Sequence, residues 1–183
     1  MKSSTINFCC FPKTRKPPDF VETLVKIFKK NESIISTSDV KRKVSLKSNQ
    51  VLSALSSDLI NAGFEVERGK TRDKKIHRPV FWGENGVPIL RYEIDAFHPI
   101  WKCGLEIEAA RAILGNAIFR DLFQAMVMVE VDYLCIAVSN FYKYNTNLKE
   151  TKSKDYTQTI AIADTLYSHT RMKMPFDLII IGY

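Results

Sequence analysis

Acidic residues that could work together crowd one short stretch of the chain: Glu93 and Asp95 in Tyr92–Glu93–Ile94–Asp95–Ala96–Phe97, then Glu106 and Glu108 in Glu106–Ile107–Glu108. Residues i and i+2 of a strand share a face, so Glu93 and Asp95 are expected to point one way, and so are Glu106 and Glu108. Leu105, Ile107 and Ala109 alternate with those glutamates, as a strand with one apolar face requires. Between the two runs, the segment His98–Pro99–Ile100–Trp101–Lys102–Cys103–Gly104 supplies the Pro and Gly of a turn that brings Asp95 back across from Glu106. Neighbouring strands lie about 5 Å apart, close enough for their carboxylates to share a hard cation. Simple alternation also marks any half-buried antiparallel strand. What distinguishes this stretch is charge without a basic partner, since Lys102 in the turn is the cation near at hand in the sequence. Facing like charges destabilise a strand pair unless a cation binds between them.

The elements that must hold these groups can be read from periodicity. Phe20 to Lys30 places Phe20, Val21, Leu24, Val25, Ile27 and Phe28 at helical spacing and stops near Asn31. Ser38–Asp39 suits a capped turn through Lys43, and Ser48–Asn49 opens a stronger helix carrying Val51, Leu52, Leu55, Leu59 and Ile60, stopped at Asn61–Ala62–Gly63. Phe64–Glu67 reads as a strand. Pro79 to Phe97 reads as strand turned at Gly83–Gly86, and Cys103 to Glu108 as the next. Ala109 to about Val129 is helical by composition, with Gly115–Asn116 its weak point. Asp132 to Ser139 is a continuous apolar run, expected to be a buried central strand. Asn140 to Lys154 reads as polar loop, followed by a helix near Tyr156–His169 and a buried strand from Phe176 to Ile181.

A chain of 183 residues with 45% hydrophobic content can bury its own core. The formal charge of +7 is unevenly placed, with basic clusters at Lys13–Lys16, Lys41–Lys47 and Arg68–Arg78. An acidic centre with basic surroundings suits a polyanionic substrate. Cys9, Cys10, Cys103 and Cys135 lack zinc-type spacing and are expected to be reduced thiols. The sequence offers neither a secretory leader nor a membrane-length apolar run, so a cytoplasmic protein with no membrane partner is expected.

Asp95, ten intervening residues, Glu106–Ile107–Glu108 and the order α-β-β-β-α-β together resemble the PD-(D/E)xK, restriction-endonuclease-like nuclease superfamily, over roughly Ser48–Ser139. The resemblance implies an α/β fold with a mixed central sheet flanked by helices, the aspartate on the second core strand and the (D/E)xK on the third. It also implies one nuclease-like domain over 1–183, divided into a helical extension (1–47), a core (48–139) and a C-terminal helix and strand (140–183). Two positions depart from the pattern. Ile94 stands where the motif has Pro, and Glu108 where it usually has Lys, although some type II enzymes of the superfamily carry Glu or Gln there and still cut. Gln124 is similar to a glutamine used near the site in some branches, without the tyrosine that follows it there.

On this reading Asp95 and Glu106 are the principal ligands of Mg²⁺ or Mn²⁺, the Ile107 carbonyl an additional one and Glu93 an outer one. Glu108 orients or deprotonates the attacking water, and Asp95, Glu106 and Glu108 form the catalytic group. Arg68, Lys70, Arg72, Lys74, Lys75 and Arg78, with Arg111 after the motif, are the expected contacts to the backbone of double-stranded DNA. The expected activity is a metal-dependent DNA endonuclease of restriction or defence type, for which a homodimer is a possible assembly. Two rivals stand beside it: a DNA-binding protein in which residues 33–80 form a winged-helix-like module, and an inactive nuclease-fold protein that serves as an interaction subunit.

Overall fold

Two apolar strands lie parallel at the centre of the molecule in a computed structural model that describes residues 4–37, 46–109, 112–146 and 149–183. In chain order the elements are β1 (Asn7–Phe11), α1 (Phe20–Lys30), α2 (Glu32–Ile35), α3 (Ser48–Asn61), β2 (Glu65–Val66), β3 (Ile76–Trp82), β4 (Pro88–Ile94), β5 (Ala96–His98), β6 (Cys103–Glu108), α4 (Ala117–Val127), β7 (Tyr133–Val138), β8 (Tyr142–Thr146), β9 (Lys149–Ser153), α5 (Asp155–Ser168) and β10 (Asp177–Gly182). The central sheet runs β1-β10-β7-β6-β5-β2, with β10, β7 and β6 parallel and the outer pairings antiparallel. The fold is therefore α/β with a mixed central sheet and flanking helices.

Helices cover both faces, which is why β7 and, after Asp177, β10 are continuous apolar runs rather than alternating. On one face Leu24 and Phe28 of α1 and Val51, Leu55 and Leu59 of α3 pack on Leu105, Ile107, Ala137 and Ile179. On the other, Ile118, Leu122 and Ala125 of α4 and Ala163 of α5 pack on Leu134, Ile136, Leu178 and Ile180. The period of α1 points its apolar stripe inward, and Glu22 in its first turn and Lys29 and Lys30 in its last complement the helix dipole. At the end of α3, Gly63 takes φ +101°, and a side chain there would lie 2.8 Å from His98 Nε2. His98 itself is buried, stacked on Trp101 at 3.7 Å and bonded to the Ala62 carbonyl at 3.0 Å, so it packs the turn rather than serving the site.

Several expectations change. Residues 7–11, assigned to a helical extension, form the edge strand β1 against β10. Residues 142–153, expected to be loop, contain the hairpin β8–β9. The helix expected from Ala109 begins at Ala117, because Asn116 adopts the left-handed conformation (φ 59°) and residues 112–115 form a turn. The expected turn at Gly83–Gly86 joins β3 to β4, but the strand expected from Val87 to Phe97 breaks at Asp95, so β3 and β4 form a separate two-stranded ribbon. The described residues of 33–80 do not form a separate winged helix: α3 is packed on the sheet and β2 pairs with β5 inside it. The Ser38–Asp39 turn and Arg111 lie outside the described residues. Among the described residues no helix is long and apolar enough to cross a membrane.

Candidate active site

The break at Asp95 makes the site. The β5–β6 ladder ends at the pair Ala96–Leu105, and one step beyond it the Asp95 carboxylate accepts the Ile107 N–H at 2.9 Å, taking the place of a ladder bond. Gly104 permits this approach, because a Cβ there would collide with the Ile94 side chain that leans over β6. Leu105 and Ile107 face the α3 layer, which leaves Glu106 and Glu108 on the α4 side. A strand residue's N–H and C=O leave on the same side, so the Ile107 carbonyl also points toward Asp95 and away from β7.

From α4, Asp121 enters the same space. It is 2% exposed and sits among the buried positions Ile118, Leu122 and Ala125, a lone acid on an apolar helix face. That anomaly was available in the sequence and is the signal that carboxylate spacing alone missed. Arg120 bonds Asp121 at 2.9 Å and Glu108 at 3.1 Å, so the acids are not free of basic partners as their sequence neighbourhood suggested. Together Asp95, Glu106, Asp121, Arg120, Glu67 and Lys75 line an open cavity of about 500 Å³.

Neutralisation is nevertheless incomplete. Glu106 makes no side-chain hydrogen bond to any described residue; burial and the charges of Asp95, Asp121 and Glu108 hold its carboxyl well above the usual carboxylate range. Burial, then the neighbouring Glu67 and Asp121 charges, push Asp95 up to about 6 despite the Ile107 N–H. Burial and the Asp121 charge push Glu108 up to about 8. Asp121 is raised as well, burial outweighing Arg120. Among the described residues its Oδ2 has no hydrogen-bond donor, a buried acceptor that a proton on Glu108 or a cation would satisfy.

These shifts have a sign. Carboxylates whose folded values exceed their unfolded values (3.8 for Asp, 4.5 for Glu) bind more protons folded than unfolded, so they stabilise the fold at low pH and cost stability as pH rises toward about 8. Glu106→Gln is accordingly expected to raise the melting temperature in chelator at pH 8 by about 2–4 °C, the shift for about 1 kcal/mol in a chain of this size. That gain should vanish near pH 4.5. Scanning calorimetry of both proteins at the two pH values measures it, and a destabilised variant at pH 8 would mean that Glu106 is already satisfied.

Of the other expected residues, Glu93 is drawn aside: it lies in the β3–β4 ribbon, 57% exposed, with Lys75 at 3.2 Å and His77 at 4.0 Å. Arg78, expected at the DNA backbone, bonds Glu65 and Glu130 and lies over the Phe97 ring at 3.9 Å. Lys75 is also engaged, by Glu67 at 2.8 Å. Arg68, Lys70, Arg72 and Lys74 are exposed. Arg68 and Lys70 line an open groove of about 1010 Å³ that runs from Lys47, Asn49 and Gln50 of the α3 start to Asp95.

Among the described residues no three His, Cys, Asp or Glu side chains are already disposed around one point to hold a metal ion. The donor set still fits a hard cation, being all oxygen, under-neutralised and open on one side. Arg120 offsets only part of the charge that Asp95, Glu106, Glu108 and Asp121 would carry when ionised.

No protein-family model and no curated protein matches the sequence. Among solved structures the fold is similar to that of restriction endonuclease BglII, solved in complex with a DNA 16-mer, with a TM-score of 0.52 and 11% identity over 97% of this chain and 75% of that one. The chain therefore has a restriction-endonuclease-like fold.

Proposed function

We propose that this chain is a divalent-metal-dependent endonuclease that cleaves duplex DNA in a restriction or defence role. The observation that carries the proposal is the meeting of Asp95, Glu106 and Asp121 in one cavity, with carboxyls raised by burial and mutual repulsion, at the end of a basic groove. The likeness to a restriction endonuclease supports it at the level of fold. Asp95 and Glu106 would hold Mg²⁺ or Mn²⁺, with the Ile107 carbonyl beside them. When bound, such an ion neutralises phosphate charge and acidifies water. Glu108 accepts the proton of the attacking water at its carboxylate, and Arg120 fixes that carboxylate by its bond to Oε1. Arg68 and Lys70, with Arg72 and Lys74, hold the phosphate backbone without reading bases.

A second reading, a nuclease-fold protein that binds DNA without cutting it, draws on the engagement of Glu108 by both Arg120 and Asp121. Incubating supercoiled plasmid with the protein in Mg²⁺, Mn²⁺ or chelator separates the two. Metal-dependent nicking is expected. Inertness in every metal alongside tight DNA binding would favour the second reading. In the same preparation, neutralising Arg68, Lys70, Arg72 and Lys74 together should flatten the log–log salt dependence of DNA binding by about one unit for each phosphate that the protein no longer neutralises. An unchanged slope would place this loop away from the substrate.

A further inference from the structure

Lys75 is the side chain that the proposed activity leaves unused. It joins the basic loop to β3, is 20% exposed on its side chain, and lines the carboxylate cavity together with Asp95 and Glu106. A half-buried ammonium is costly unless held, and two carboxylates from different elements hold it: Glu67 after β2 at 2.8 Å and Glu93 on β4 at 3.2 Å. An ammonium has three donors. Glu67 and Glu93 take two, and no described residue takes the third. Of the other cations lining the cavity, Arg91 and Arg120, the latter is 61% exposed and committed to Glu108 and Asp121.

We propose that Lys75 is a catalytic residue, whose third N–H bonds a non-bridging oxygen of the scissile phosphate and stabilises the charge that grows there as the bond to the leaving oxygen breaks. The proposal rests on the nuclease reading above. It changes Lys75 from a backbone-positioning contact to a group acting on the reacting phosphate, with Glu67 as the positioning residue that aims it. No proton is transferred: the ammonium keeps its charge throughout, and its geometry is set before substrate arrives. A fixed donor of this kind contributes mainly to the transition state, where the oxygen is most negative.

Single-turnover cleavage in Mg²⁺ at saturating DNA, with DNA affinity measured separately in Ca²⁺, tests it on wild type, Lys75→Met, Lys75→Arg and Glu67→Gln. The expected result for Lys75→Met is a loss of about 10²–10³-fold in the cleavage rate constant with affinity changed less than about threefold. Lys75→Arg, which keeps charge and donors, should recover part of that loss, and Glu67→Gln should fall between. If Lys75 only pins the ribbon to the sheet, the rate loss in Lys75→Met follows the loss of folded protein and disappears when the rate is taken per folded molecule well below the melting temperature, which overturns the proposal. A variant that cuts at the wild-type rate, or one that loses affinity while its saturated rate holds, overturns it too. An inert wild type overturns the nuclease reading itself, a different outcome from an active wild type with an equally active Lys75→Met.

Discussion

Asp95→Asn and Glu106→Gln, each replacing a carboxylate by an amide of the same size, are expected to lower the rate of DNA cleavage by about 10³-fold or more, the several kcal/mol that a missing ligand to a catalytic ion represents. The amide is the appropriate change at Asp95, because the carboxylate also accepts the Ile107 N–H at 2.9 Å and an alanine would leave that donor unpaired at the end of the β5–β6 ladder. Asn keeps the acceptor while removing the charge. Folding should therefore survive, and at high pH without metal both variants should be more stable than wild type, since burial and like charges disfavour the ionised forms. Activity falling while stability rises is the pattern of a site where charge repulsion is kept for function. Quenched-flow or gel assays across a Mg²⁺ titration measure the rate, and isothermal calorimetry measures the ion. Near wild-type cutting by either variant would remove these residues from the site.

Glu108 has the second largest expected effect. As proton acceptor for the attacking water, its removal in Glu108→Ala should cost about 10²–10⁴-fold in rate with ion and DNA affinity retained. Its pKa of about 8 in the absence of an ion means that the cleavage rate should climb with pH toward that region as the proton is lost, unless a bound cation lowers it; the variant should lose that limb of the profile. Glu108→Lys places an ammonium beside Arg120 and Asp121, where it takes over the ion pair to Asp121, so partial activity or an altered metal preference is expected. Equal inertness of wild type, Glu108→Ala and Glu108→Lys on DNA that still binds would leave the binding-protein reading.

Much of this architecture was legible from period alone. Helices α1 and α3 and strands β6, β7 and β10 fall within a residue or two of where their apolar patterns place them, because each buries a continuous face and the pattern records that burial. The failures are the elements whose stability is not local. Strand β1 buries only Phe11 and exists through β10, and the β8–β9 segment is too polar in sequence for its strands to be read from it. The start of α4 was set by the left-handed Asn116 against a stretch whose composition favours helix.

The site divides in the same way. The sequence by itself determined that Asp95, Glu106 and Glu108 would lie within two strands of one another, since β-strand geometry and a short turn allow little else. It also determined that they would stand in an α/β fold with a mixed central sheet, because the order of elements follows from the order of patterns. Only the tertiary structure decided the rest of the cluster. A bend at Asp95 turned Glu93 out into the ribbon and gave it to Lys75, while α4 brought Asp121 and Arg120 across onto Glu108. Those choices depend on which surfaces pack together over distances the local sequence does not encode. A lysine 20 residues from Asp95 and an aspartate 26 residues from it become its neighbours only once the sheet and its helices have closed around them.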